Sequence, residues 1–303
     1  MKVDKIVAII GSNSFVGSSL VENLINRKTK LNLYETNKTN PYNSKNINYY
    51  HYNYPNNKLN YYELSKNDII FFCSAAGVQS NNKVKDDLIF QLNSLEPLRL
   101  SLELEKLNFK GKFVTFGSYA ELGINSQIHK YTEIELIKSN NLLINPYSIS
   151  KKILTSYIFS RNHKINWYHL IISSLYGRCE GQHRLINYII KCVRSDKNLV
   201  LSSGNQVRQY INIEDVSNLL LKIIYEENLP GIYNLTSDNH TTINKIVEIV
   251  LSILNQTNYP ISIKERADSN MKILMTCNKK IKKQFNWKPI IELEDGIKSY
   301  LNK

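Results

Sequence analysis

A short apolar run, Lys5-Ile6-Val7-Ala8-Ile9-Ile10, feeds directly into Gly11-Ser12-Asn13-Ser14-Phe15-Val16-Gly17, and the next residues, Ser18–Ile25, have helical periodicity. A continuous apolar run of this length reads as a buried parallel strand. Strand, glycine turn and helix in that order constrain the chain to an α/β architecture and turn a weak motif into a useful one. Gly11 allows a tight turn, and Gly17 allows the helix to pack close to the strand. The helix N-terminus then presents N–H groups to a pyrophosphate. Gly11, Ser14, Phe15, Val16 and Gly17 are therefore candidate cofactor contacts. In the spacing Gly-x-x-Gly-x-x-Gly the middle position is Ser14, whose hydroxyl would lie near phosphate but whose side chain works against close backbone approach. An ordinary strand–turn–helix is the alternative.

The following segments keep to the same plan. Lys30–Glu35 reads as a second strand ending in an acid. A carboxylate there accepts from ribose hydroxyls and repels a 2′-phosphate, which favours NAD; the nearby Lys38 leaves NADP open. Residues 36–62 are rich in Asn, Lys and Tyr, with a possible strand at Ile47–Tyr52. Asp68–Gly77 is a clearer strand that ends in Ala75, Ala76 and Gly77, small residues that leave room for a cofactor backbone. Leu88–Leu107 reads as a helix containing Asn93. Lys112–Ser118 is the next strand and delivers Ser118 to the same edge.

Asn145-Pro146-Tyr147-Ser148-Ile149-Ser150-Lys151 carries the chemistry. Pro146 suits a first helical position, and in a helix starting there Tyr147 and Lys151 project from one face, one turn apart. A phenol titrates near pH ~10, and a cation one turn away brings its proton within reach of acid–base work near neutrality. With 20 tyrosines and 39 Lys+Arg, such a spacing arises easily by chance. The glycine loop and the Gly117-Ser118 segment are what give it meaning.

Further on, Trp167–Ser173 is β-rich and Leu185–Arg194 helical. Leu199–Val216 reads as a hairpin entering the helix Val216–Glu226, Gly231–Leu235 as a late strand, and Ile243–Leu254 as a helix. A length of 303 residues suits one large domain or a domain with a cap. The net charge of +13 is compatible with an anionic ligand or with a lysine-rich solvated surface. Cys73, Cys179, Cys192 and Cys277 lack metal-ligand or Cys-x-x-Cys spacing and read as free thiols in a reducing compartment; no metal is expected. No run is long enough for a signal-peptide core or a bilayer span, so a cytoplasmic location is expected, with no membrane partner.

Together these segments resemble the extended short-chain dehydrogenase/reductase family of nucleotide-sugar epimerases, dehydratases and reductases, over nearly the whole chain. Gly11-x-x-Ser14-x-x-Gly17 is similar to the family's cofactor loop with one substitution. Phe116–Gly123 resembles its serine segment, Tyr147-x-x-x-Lys151 its catalytic pair, and Tyr176-Gly177 its Tyr-Gly at the start of the substrate region. Gly204–Ile211 with Asp215 resembles its late Gly…Arg…Asp segment. The resemblance implies catalysis by Ser118, Tyr147 and Lys151. It implies cofactor contacts at the glycine loop, Glu35, Ala75, Ala76, Asn93, Tyr147 and Lys151, and substrate contacts at Gly77, Ser118, Tyr119, Ser174 and Arg208. Tyr147 would exchange the proton on a sugar oxygen while NAD exchanges a hydride with its carbon. Ser118 would position that oxygen, and Lys151 would lower the tyrosine pKa and hold the nicotinamide ribose. Arg208 would meet the diphosphate.

Departures narrow the expectation. Tyr119-Ala120 is unlike the Asp-Glu pair of sugar 4,6-dehydratases, the Glu of UDP-glucuronate decarboxylases at the second position, and the cysteine of the fucose-synthase type. What remains is redox at one carbon: reduction of the C4 keto group of an NDP-4-keto-6-deoxyhexose, or 4-epimerisation on a retained NAD. Leu122, in place of the Tyr common in epimerases, favours the reductase. Glu121 is left between a sugar hydroxyl and solvent. A non-catalytic relative that senses dinucleotide or binds RNA is the rival class, but the scattered basic residues and the intact Ser118, Tyr147 and Lys151 speak against it, and no nucleic-acid partner is expected. The implied fold is a doubly wound parallel (Rossmann) sheet from residues 1–172 with 205–228. A smaller substrate-binding lobe from 173–204 with 229–303 would close over the nucleotide sugar, and the assembly would be a homodimer.

Overall fold

Seven strands of four to seven residues, separated by helices except between the second and third, form one sheet in the computed structural model, which describes residues 4–42, 44–77, 84–264 and 270–301. Its strands are β1 (Lys5–Ile10), β2 (Thr29–Glu35), β3 (Ile47–His51), β4 (Ile69–Phe72), β5 (Lys112–Ser118), β6 (Asn166–Ile172) and the late strand Gly231–Leu235. The spatial order is Gly231–Leu235, β6, β5, β4, β1, β2, β3, and every pairing is parallel. The order reverses between β1 and β4, the position at which doubly wound sheets open a crevice at their carboxyl edge.

Successive residues of each strand serve opposite faces. Val7, Ile9, Leu33, Phe71, Val114 and Leu170 pack with helix α1 (Phe15–Leu24) and the helix Ile213–Tyr225. Ala8, Ile10, Phe72, Phe113 and Trp167 pack with Leu100, Leu104, Leu154 and Ile158 from the helices Glu96–Lys106 and Pro146–Phe159. Each such fully buried aliphatic side chain stabilises by about 1.5–3 kcal/mol relative to exposure, so these two layers fix the sheet and, with it, the strand ends.

Several boundaries differ from the sequence expectation. Helix α1 begins at Phe15, three residues before the apolar periodicity. Ser14, extended at φ −72° and ψ 165°, caps it by accepting from the Gly17 N–H. The cap sets the start, and the periodicity only marks the buried face. The stretch Leu88–Leu107 is a helix interrupted by a π turn, Gln91–Leu95, that carries Asn93.

Leu199–Val216 is not a hairpin. Leu199–Leu201 pairs with Ile261–Ile263, Val207–Arg208 lies between Thr241–Thr242 and Ile273–Leu274, and Tyr210–Asn212 pairs with Ser174–Tyr176. These partners are remote in sequence, so no turn signal announces them. Asn212 caps the next helix, which starts at Ile213. Gly231–Leu235, expected in the smaller lobe, is instead an edge of the central sheet. The lysine-rich run Lys279–Lys283 lies in a helix, Lys279–Phe285, whose Phe285 packs on Tyr233 at 5.1 Å between ring centres. The remaining lobe buries Ile186, Ile189, Leu199, Ile246, Val250 and Ile297 in a core of its own.

Candidate active site

The carboxyl edge of the sheet opens into a cavity of about 760 Å³, lined by the ends of β4 and β5, the start of α1, the Tyr147 helix and the lobe. Ligand pockets span about 300–1,000 Å³. Ser14, Phe15 and Val16 line one part, Ser74, Ala75 and Gly77 the next, and Ser118, Tyr119, Tyr147 and Lys151 the floor. Ser174, Arg184 and Arg208 face them from the lobe.

The loop after β1 has the shape its glycines demand. Gly11 adopts φ +83°, and a Cβ there would lie 2.6 Å from the Ser74 nitrogen; a Cβ on Gly17 would lie 2.2 Å from the Gly11 oxygen. Both are steric requirements of a chain that brings a helix end against a strand end. Ser14, in the position where a third glycine was anticipated, is in ordinary extended backbone and needs none.

Glu35 corrects an expectation. It is 2% exposed and does not reach the cavity. Ser12 Oγ donates to it at 2.7 Å, the Tyr49 hydroxyl at 2.7 Å and Asn37 Nδ2 at 3.1 Å. Its carboxylate thus ties the glycine loop to β2 and β3. Asn93 is likewise buried away from the cavity. Its amide accepts from the Ala76 N–H and donates to the Ala76 carbonyl and to Ser150 Oγ, each at 2.9 Å, so it acts on the β4 end through Ala76.

The floor is set by two caps. Asn145 accepts from the Ser148 N–H at 2.8 Å, and with Pro146 at the first position the helix starts where Tyr147 faces Ser118. Ser118 and Tyr147 line the floor side by side. Burial pushes the phenol above its ordinary pKa, while the Ser118 hydroxyl and the Arg184 charge pull it down. Lys151 was expected to do the pulling, but its ammonium donates to the Phe116 carbonyl at 2.7 Å and lies 5.9 Å from the Tyr147 ring centre. Burial lowers its own pKa to about 8.

Ser118 also caps a short 3₁₀ turn, Tyr119–Leu122, in which the Glu121 carboxyl accepts the Ser118 N–H at 2.7 Å. Glu121, left between sugar and solvent by the sequence, is 0% exposed and meets neither.

On the lobe side, the Tyr119 and Ser174 hydroxyls are 2.5 Å apart. Arg208 donates to the carbonyls of Val207 (2.9 Å), Lys272 (3.2 Å) and Met271 (2.7 Å), which orient its guanidinium at the cavity wall. Arg184, which the sequence reading missed, donates to the Leu175 carbonyl at 3.0 Å and lies 5.4 Å from the Phe15 ring centre. A signal was there: a cation opening the helix Leu185–Arg194 runs against the helix dipole, which favours anions at that end.

The profile of the NAD dependent epimerase/dehydratase family matches residues 7–236. The chain belongs to that family. Among curated relatives, a CDP-abequose synthase of Yersinia pseudotuberculosis is 24% identical over 256 residues, 82% of this chain and 83% of the relative. A CDP-abequose synthase of Salmonella typhimurium is 26% identical over 169 residues, 52% of this chain and 56% of the relative. The chain thus spans about half the length of the latter. A UDP-N-acetylglucosamine 4-epimerase of Methanobrevibacter ruminantium M1, solved in complex with UDP-N-acetylmuramic acid, superposes with a TM-score of 0.85 at 19% identity, covering 99% of this chain and 98% of that one. At that identity the likeness concerns the family's fold. Both the doubly wound sheet and the family are those that the motifs implied.

Proposed function

We propose that the chain is an NAD-dependent oxidoreductase of nucleotide-activated sugars that reduces the C4 keto group of an NDP-4-keto-6-deoxyhexose. The observation that carries this is the convergence of Ser118, Tyr147 and Lys151 on the cavity floor between a glycine loop and two guanidinium groups. The glycine loop, the first turn of α1 and the small residues Ala75 and Gly77 fit a dinucleotide backbone. NAD, when bound there, supplies or accepts a hydride. Tyr147 donates the proton to the sugar oxygen, Ser118 holds that oxygen by a hydrogen bond, and Lys151, fixed by the Phe116 carbonyl, holds ribose hydroxyls. Arg208 and Arg184 bind the diphosphate as charge-assisted donors. Gly77, Tyr119 and Ser174 border the sugar. Glu35 keeps the role of favouring NAD by the charge it places behind the loop.

The division of labour that follows places the dinucleotide on residues 1–172 with the helix of the 205–228 segment, Ile213–Tyr225, while the strands Val207–Arg208 and Tyr210–Asn212 of that segment join the lobe. The nucleotide sugar lies under 173–204 and 229–303, less the sheet strand 231–235. The protein acts in the cytoplasm as a homodimer, without nucleic-acid or membrane partners. Among the described residues no helix is long and apolar enough to cross a membrane.

Incubation with NADH and a panel of UDP-, dTDP-, CDP- and GDP-linked 4-keto-6-deoxy sugars tests the reading. Stoichiometric loss of NADH absorbance is the expected result. Interconversion of sugars with no added cofactor would assign the chain to 4-epimerisation instead, the activity named for the Methanobrevibacter structure.

A further inference from the structure

Behind the Ser118–Tyr147 pair lies a line of buried polar side chains that the reaction above does not use. Trp167 Nε1 donates to Thr115 Oγ1 at 2.8 Å, and Thr115 Oγ1 is 2.8 Å from His169 Nδ1. His169 Nε2 is 2.9 Å from Thr155 Oγ1. Thr155 Oγ1 spends its single proton on the Lys151 carbonyl at 3.2 Å, so it accepts from His169 Nε2. The imidazole therefore carries its own proton on Nε2 and gives it to Thr155. Nδ1 is left to accept from Thr115, whose oxygen takes the Trp167 N–H; beside this line the Glu121 carboxyl keeps one oxygen, Oε2, with no hydrogen-bond partner among the described residues. All five side chains are buried.

Gly117 belongs to the same arrangement. Its φ is not left-handed, yet a Cβ there would lie 2.7 Å from both Glu121 Oε1 and His169 Nε2. The strand carries a glycine at this point because the carboxyl and the imidazole fill the space of a side chain.

We propose that Glu121 is a positioning residue of the redox site: its carboxyl grips the Ser118 peptide from behind, beside Lys151, and shares the space over Gly117 with the His169 imidazole that the Trp167–Thr115–His169–Thr155 chain holds in place. This rests on the oxidoreductase reading above.

The charges around the site give the proposal a sign. Lys151 is faced by Glu121, by Cys73 at the end of β4 and by His169 from β6. Tyr147 is faced by Ser118, Arg184, Glu121 and Tyr119, and Glu121 by Lys151, Lys152, Thr155 and Ser118. Burial pushes the Glu121 carboxyl's own pKa up, while the Ser118 N–H and the Lys152 and Lys151 charges pull it down. Where it is ionised it favours the Lys151 ammonium and opposes a Tyr147 phenolate, so its removal moves both titrations to lower pH. A reduction that needs the ammonium and the protonated phenol then loses activity at lower pH.

Glu121→Gln keeps an oxygen for the Ser118 N–H and removes the charge. The alkaline limb of kcat/KM is expected to move down by about one pH unit, with kcat at pH 8 reduced roughly fivefold and the KM for the nucleotide sugar within about twofold. ¹⁵N NMR titration of Lys151 Nζ, assigned with Lys151→Met, reads the same shift without turnover, and its midpoint should fall in Glu121→Gln. An unmoved alkaline limb together with an unmoved Lys151 midpoint overturns the proposal, as does a loss of kcat that merely tracks a lowered Tm. Should the wild-type protein turn over no nucleotide sugar, the oxidoreductase reading falls, and the Lys151 titration alone decides the role of Glu121.

Discussion

The two walls of the cavity are built in opposite ways. The floor hangs from parallel strands of four to seven residues, buried on both faces by two helical layers. The roof is joined by strands of two and three residues, Val207–Arg208 with Thr241–Thr242 and Ile273–Leu274, and Tyr210–Asn212 with Ser174–Tyr176. Short ladders carry few backbone hydrogen bonds, and regions held that way open at low free-energy cost. The groups assigned to proton transfer sit on the rigid wall, whereas the guanidinium groups assigned to the diphosphate sit on the looser one. Chemistry needs placement to within fractions of an ångström, and an entering ligand needs a wall that gives way.

If that contrast is right, damage to the two walls separates kinetically. The largest effect belongs to the floor. Tyr147→Phe removes the proton donor while keeping the ring, and kcat should fall by about 10²–10⁴-fold with NAD affinity and Tm near wild type. Near-normal turnover in steady-state assays would remove Tyr147 from the mechanism. A smaller effect belongs to the roof. Arg208→Lys keeps the charge but not the fork that meets three carbonyls, so the KM for the nucleotide sugar should rise by about tenfold with kcat within about threefold. A fall in kcat as large as that of Tyr147→Phe would erase the distinction between the walls.

The same contrast explains what could be read from the sequence. On the floor, strand, loop and helix are contiguous, so Gly11, Gly17, Ser118 and the Tyr147–Lys151 pair announce their positions within a few residues. Glu35 was visible as an acid at a strand end, but its engagement by Ser12, Asn37 and Tyr49 depends on three separate segments. Glu121 was visible too, and its burial was not. What turns it inward is the company of Thr155 and His169, residues placed beside it only when the helix and β6 pack. On the roof nearly every pairing is of that distant kind. The local pattern of Leu199–Val216 reads as a hairpin because the true partners, near residues 241, 261 and 273, leave no mark in it.

The smallest effect sharpens the comparison by asking whether the floor is a fixed, buried unit. His169 is 0% exposed, and burial together with the Lys151 charge lowers its pKa to about 3. In the unfolded chain an imidazole titrates near pH ~6.5. As pH falls below that value the unfolded chain takes up a proton that the folded protein refuses, so this contribution is full above pH ~6.5 and is lost progressively down to the folded pKa. At pH 5 the loss amounts to about 2 kcal/mol, from roughly 1.4 kcal/mol per pH unit. His169→Gln places an amide donor and acceptor between Thr115 and Thr155 without a titrating group. Its stability relative to wild type should therefore improve by about that amount between pH 7 and pH 5 in urea melts, whatever its offset at pH 7. Parallel pH dependences for the two proteins would mean that His169 takes up its proton in the folded state. The polar line behind Ser118 would then be as yielding as the roof.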